Sequence, residues 1–103
     1  MTDADIFSWI LLCLSAEGST RRQISEMADA INHAIPTHQE METSLRWLQE
    51  TGLVREDGCR FALTEAGATL HQRHRSPTRP IMAAWNLLSH EVELLLKKGQ
   101  NDG

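Results

Sequence analysis

The stretch from Thr37 to Gly67, THQEMETSLRWLQETGLVREDGCRFALTEAG, constrains this chain more than any other. Thr37 with Glu40 three residues on has the form of a capping box, so a helix starts there. Met41, Leu45 and Leu48 follow at spacings of four and three and give that helix one apolar face. Gly52 ends it, because glycine takes the left-handed conformation of a helix C′ position without steric cost. Leu53–Glu56 and Cys59–Leu63 then flank Asp57-Gly58, a strong hairpin signal, since a type I′ turn needs positive φ at both central residues. That turn sets Val54 opposite Phe61 and Arg55 opposite Arg60, with Val54, Phe61 and Leu63 toward a core. Thr64 caps a further helix, Glu65 to about Arg75.

Upstream, a first helix is expected from about Asp5 to Ala16, capped by Thr2 or Asp3 and stopped by Glu17-Gly18. Ile6, Trp9, Ile10, Cys13 and Leu14 recur at helical spacing and Phe7 and Leu11 add a second apolar edge, so much of this helix should be buried. Thr20 with Gln23 forms another capping box and opens a second helix near Arg21, whose buried face reads Ile24, Met27, Ala28 and Ile31. The connector His33-Ala34-Ile35-Pro36 leads to the third helix, and two helices joined by a short turn make a helix-turn-helix.

Residues 1–75 thus read as one domain. Ser76-Pro77-Thr78-Arg79-Pro80 is a breaker-rich linker, residues 76–80. Residues 81–98 form a last helix, Ile81 to about Lys98, ended by Gly99, and residues 99–103 read as a disordered polar tail. On the last helix Ile81, Trp85, Leu88, Val92 and Leu95 are spaced by four, three, four and three, a heptad-like seam. Met82, Leu87, Leu94 and Leu96 lie off it. A helix this apolar, in a chain of 103 residues, needs either the first helix or a partner to cover it.

Charge is unevenly placed. Residues 1–50 carry three arginines against eight acids, and residues 51–103 carry seven Lys/Arg against six acids, for a formal net charge of −4. Such a chain is not steered to phosphate by its overall field, so only a local basic patch favours nucleic acid. Cys13 and Cys59 make no CxxC, and Cys13 falls in the apolar run of the first helix, where a free cysteine is a small core residue. Ile6–Leu14 is too short and too acidic in its flank for a signal peptide or a membrane span, so a reduced, cytoplasmic setting without membrane contact is expected.

With these elements in order, the chain resembles winged helix-turn-helix transcriptional regulators, in particular the small PadR-like and MarR-like groups. The residues that carry the likeness are Leu45-Arg46-Trp47-Leu48, Thr51-Gly52-Leu53-Val54 and Leu63-Thr64-Glu65-Ala66-Gly67, within residues 6–75. The resemblance implies a mainly α fold with a small two-stranded β-wing and a C-terminal helix. It makes the third helix the recognition helix, with His38, Gln39, Glu42, Thr43 and Arg46 outward, Gln39 suited to adenine and Arg46 to phosphate or guanine. The positive ground lies elsewhere: His71, Arg73, His74, Arg75 and Arg79 form a run without any acid and Arg21-Arg22 open the second helix, and if the two patches share a face they form a track for the DNA backbone. The resemblance also implies a homodimer through the terminal helix, here along Ile81, Trp85, Leu88, Val92 and Leu95.

The expected function is therefore that of a dimeric DNA-binding transcriptional regulator of unspecified target. Against DNA stand Glu40, Glu42 and Glu50 on the third helix, with Arg46 its single arginine, and Glu56-Asp57 at the wing tip. The alternative is a winged-helix interaction module that binds protein, through the Glu-rich third helix or the last helix, and not DNA.

No nucleophile–base signature, Gly-rich phosphate loop or HExxH motif is present, so a non-enzymatic chain without cofactor or metal is expected. His71 and His74, at i and i+3, can place two imidazoles on one ion but bring no Cys or carboxylate ligand with them. His33, His38 and His90 read as surface residues, and Trp9, Trp47 and Trp85 as packing.

Overall fold

The computed structural model describes residues 1–101. It is mainly helical with a small antiparallel sheet: α1 (Asp3–Leu12), β1 (Ser19–Thr20), α2 (Arg21–Asn32), α3 (His38–Glu50), β2 (Val54–Asp57), β3 (Arg60–Leu63), α4 (Glu65–His74) and α5 (Ile81–Asn101).

The caps read from the sequence set the helix starts. Thr20 and Thr37 each accept from the backbone three residues on, and Gln23 and Glu40 return the bond. Thr2 does the same with Asp5, so α1 begins at Asp3 and not at Asp5. It also ends early, at Leu12 and not Ala16, because the chain must turn toward the sheet: the Leu63 amide donates to the Ser15 carbonyl at 2.9 Å. His33 takes the left-handed conformation, φ 54°, and closes α2.

The sheet differs from expectation in two ways. It has three strands, in the order β1-β3-β2, because Ser19 and Thr20 pair with Phe61 and Arg60. A two-residue strand carries no period, so alternation could not announce it. The hairpin register also differs: Val54 faces Leu63 and Glu56 faces Phe61, which leaves Gly58-Cys59 as the turn in place of Asp57-Gly58. The two registers differ by two residues on one strand, which keeps every side chain on its face, so the apolar pattern is blind to the choice. The turn decides it. Gly58 has φ 64° and Cys59 is not at positive φ, the signs of a II′ turn with glycine first.

The core is built around α1. Phe7, Ser8, Trp9, Ile10, Leu11 and Leu12 are all buried. From α2 it receives Ile24 and Ala28, from α3 Met41, Leu45 and Leu48, and from the hairpin Val54, Phe61 and Leu63. Met27, expected inside, is half exposed. Gly67 lets α4 approach the chain before the hairpin: a Cβ there would lie 1.9 Å from the Leu53 carbonyl oxygen.

The last helix folds back onto α1. Trp85, Leu88 and Val92 are buried in this core and Ile81 packs at its edge. Trp85 Nε1 donates to the Asp5 carbonyl at 2.8 Å, and Ser89 Oγ donates to Asp5 Oδ1 at 2.5 Å. The seam expected to face a partner is thus largely covered within the chain, and of its five residues only Leu95 is exposed. α5 also continues through Gly99 to Asn101, past the expected stop; residues 102–103 of the expected tail lie outside the described residues. Leu88→Ala should cost about 2–5 kcal/mol in urea unfolding at low micromolar protein, whereas Leu94→Ala, on the outer flank, should change stability by less than about 0.5 kcal/mol. The reverse order would mean that the wrong face of α5 has been placed inside.

Candidate functional site

The candidate surface comprises the start of α2, the outward face of α3 and the hairpin. On α3, His38, Gln39, Thr43, Arg46 and Glu50 are exposed and Glu42 is half-buried. Gln39, Thr43 and Arg46 follow one another at spacings of four and three and so share a face opposite the buried Met41, Leu45 and Leu48 stripe. Of the five residues expected outward, His38, Gln39, Thr43 and Arg46 are exposed, whereas Glu42 is half-buried against Arg21.

The cations around them are mostly engaged. Arg21, the first residue of α2, grips Glu42 with two nitrogens: Nε donates to Oε1 at 2.5 Å and Nη2 to Oε2 at 3.1 Å. Its guanidinium carbon also lies 4.8 Å from the centroid of the Phe61 ring. This fork-on-carboxylate geometry is the strong form of a charged hydrogen bond. It holds the Glu42 carboxyl below its ordinary range and Arg21 above its own.

Arg22 reaches Glu26 at 3.3 Å, but its side chain is almost fully exposed, so that pair contributes little. Arg55 lies 3.7 Å from Asp57. Arg60 Nη1 sits 3.4 Å from both the Gly18 carbonyl and Gln23 Oε1. Among the described residues, Arg46 and Arg60 are the arginines of this surface outside any ion pair.

The second basic group belongs elsewhere. Arg73 Nη1 donates to Glu91 Oε1 at 2.7 Å and His74 Nε2 lies 2.8 Å from Glu91 Oε2, which staples α4 to α5. Burial pushes the Glu91 carboxyl up, but the hydrogen bonds from His74 and Arg73 outweigh it and leave it below its ordinary value. Arg79 Nη1 donates to the His74 carbonyl at 2.8 Å, and Arg75 is exposed. Arg21 is bound to α3 and β3 while Arg73 is bound to α5, so the contacts do not join the two groups into one track.

His71 Nε2 lies 3.4 Å from the Leu12 carbonyl oxygen, whereas His74 meets Glu91. The two imidazoles therefore face different elements. Cys13 Sγ donates to the Trp9 carbonyl at 3.2 Å, and burial pushes its thiol up to about 12, which leaves it without nucleophilic character. No helix among the described residues is long and apolar enough to cross a membrane.

What sequence reasoning missed is Glu42 as the partner of Arg21 and Glu91 as the partner of Arg73. Both pairs join separate elements, and no local spacing encodes them. Compared with models of known families and with curated proteins, the chain finds no match.

The titrating groups give the stability a definite sign with pH. Burial lowers the His71 pKa below its ordinary 6.5, so the folded chain holds fewer protons than the unfolded one just below that value. Its contribution is full above pH 6.5 and is lost as pH falls through the window beneath. Glu91 and Glu42, both lowered from 4.5, lose their contributions further down, as pH falls through and below that value. Thermal unfolding should accordingly show Tm falling in two stages on acidification. His71→Gln should flatten the upper stage and leave the lower; a Tm that rises between pH 7 and 5.5 contradicts the assignment.

Proposed function

We propose that this chain is a winged helix-turn-helix module that works by protein–protein contact and not by reading duplex DNA. The observation that carries this is the Arg21–Glu42 pair. Affinity for duplex comes chiefly from Lys and Arg that neutralise phosphates and release counterions. Arg21 gives Nε and Nη2 to Glu42, so a phosphate meets only its remaining donors, and its charge is already offset by the Glu42 carboxylate beside it. Arg73 also donates to a carboxylate, Glu91, through the single nitrogen Nη1. The exposed leucines lie instead on α5, where Leu87, Leu94 and Leu95 are 44%, 54% and 40% exposed. Leu94 and Leu95 adjoin in one apolar cleft with Leu70, and exposed apolar surface of this kind favours contact with another molecule.

A second reading, a DNA-binding transcriptional regulator, is favoured by one specific feature. Gln39, Thr43 and Arg46 form an uncovered polar row on α3, of the residue types that pair with base edges. Fluorescence anisotropy with labelled random duplex at low salt separates the two. The protein-contact reading predicts a Kd weaker than about 100 μM for the natural chain, beyond the usual non-specific range. Glu42→Gln, which frees Arg21, should then tighten binding several-fold and steepen the salt dependence by about one phosphate contact. Binding at about 1 μM or tighter in physiological salt, abolished by Arg46→Ala, would establish the DNA reading instead.

A further inference from the structure

Beyond the Arg73–His74–Glu91 staple, α4 and α5 enclose a cleft of about 280 Å³ lined by Leu70, Arg73, Glu91, Leu94, Leu95 and Lys98. Leu70 is buried beneath it, while Leu94 and Leu95 stand exposed on its α5 wall. The volume falls just under the range of about 300–1,000 Å³ that holds a whole small ligand, so the cleft suits side chains of a docked segment.

The lining is cationic once its pairs are counted. Both Glu91 oxygens are taken, Oε1 by Arg73 and Oε2 by His74. Arg73 and Lys98 against Glu91 alone leave an excess of one positive charge. Lys97 pairs with Glu93 at 3.5 Å, whereas Lys98 enters no ion pair among the described residues. From Ala66 to His90 the sequence holds Arg73, Arg75 and Arg79 and no Asp or Glu, so the stretch joining α4 to α5 brings cations and no carboxylate.

We infer, on the protein-contact reading above, that this cleft docks an acidic amphipathic helix of a partner protein, with apolar side chains on Leu70, Leu94 and Leu95 and a carboxylate on Lys98. Lys98 follows Leu94 by four residues and Leu95 by three, so the three share a side of α5. A partner helix with an acid one turn from two apolar residues matches that spacing. An extended segment does not, because α4 and α5 spend their backbone groups internally and offer it no edge, whereas a helix satisfies its own.

The charge count also separates the other occupants. A second copy docking through the same face would bring its own Arg73 and Lys98 and no free acid. Duplex DNA has phosphates for Lys98 but nothing apolar for a cleft walled by leucines. A lipid surface meets a convex apolar face and not a recess between two helices.

The test is fluorescence anisotropy with a labelled alanine-based helical peptide of roughly 18 residues, long enough to hold helix in water, carrying two leucines and a glutamate one turn away. The natural chain should bind it with a Kd of about 10–100 μM, and the same peptide with lysine for glutamate at least about tenfold more weakly. Lys98→Glu should reverse that preference. Leu94→Ser should lose both peptides with an unchanged circular dichroism spectrum, since Leu94 is outside the core. No saturable binding of the glutamate peptide by about 1 mM overturns the proposal, as does a preference that Lys98→Glu leaves unreversed. Sedimentation with phosphatidylserine vesicles that Leu94→Ser abolishes, without peptide binding, gives the cleft to a membrane and overturns it as well. Failure of the underlying reading looks different: tight duplex binding that Arg46→Ala abolishes defeats that reading, whereas a chain that ignores both duplex and peptide defeats the cleft alone.

Discussion

Everything in this structure depends on α1 being buried on nearly every side. A helix so placed cannot leave polar groups unpaired, and the ones it carries are provided for. Ser8 Oγ donates back to the Ala4 carbonyl at 2.6 Å, and Trp9 Nε1 reaches across to the Ala28 carbonyl of α2 at 3.0 Å. Trp9 also stacks on Trp85 with ring centroids 6.0 Å apart, and Phe7 on Trp47 at 5.0 Å. Those contacts bind α2, α3 and α5 to one axis. A chain of this size has a modest core, and here a single hydrophobic helix serves as its centre for all the others.

That arrangement determines which surfaces are left for function. Because Trp85, Leu88 and Val92 cover α1, α5 presents its outer flank and not its heptad seam. Because α3 gives Met41, Leu45 and Leu48 to the same core, its opposite side carries Gln39, Thr43 and Arg46 outward. The ion pairs then sort these two surfaces electrically. Arg21 is held by Glu42 at the edge of α3, and Arg73 by Glu91 at the edge of α5, so the chain spends cations on joining its own helices. What remains is a polar row on α3 and an outer flank of α5 that exposes Leu87, Leu94 and Leu95.

Features with a local cause were legible in the sequence. The three threonine capping boxes or caps before α2, α3 and α4 each depend on residues within four positions, and each stands where the sequence put it. The apolar stripe of α3 was equally plain. Features decided between distant segments were not. The hairpin register slid by two because both registers bury the same faces, and β1 exists only as a partner for β3. The heptad spacing of α5 correctly marked a buried seam but could not say what buries it, since a partner and α1 satisfy the same period. Of the candidate site, the outward residues of α3 were readable from helical geometry, while the neutralisation of Arg21 and Arg73 was not. Those pairs span twenty-one and eighteen positions respectively, and only the folded arrangement brings them together.

The claim on which the functional reading turns is that the Arg21 guanidinium is already occupied. The side-chain Nε–H signal of Arg21 in a ¹H–¹⁵N spectrum reports this directly. If Glu42 holds it, that proton exchanges slowly with water, gives a resolved peak that Glu42→Gln removes, and does not move when duplex DNA is added. A signal averaged away by solvent exchange, or one that sharpens and shifts on titration with duplex, would show a free cation awaiting phosphate and contradict the reading.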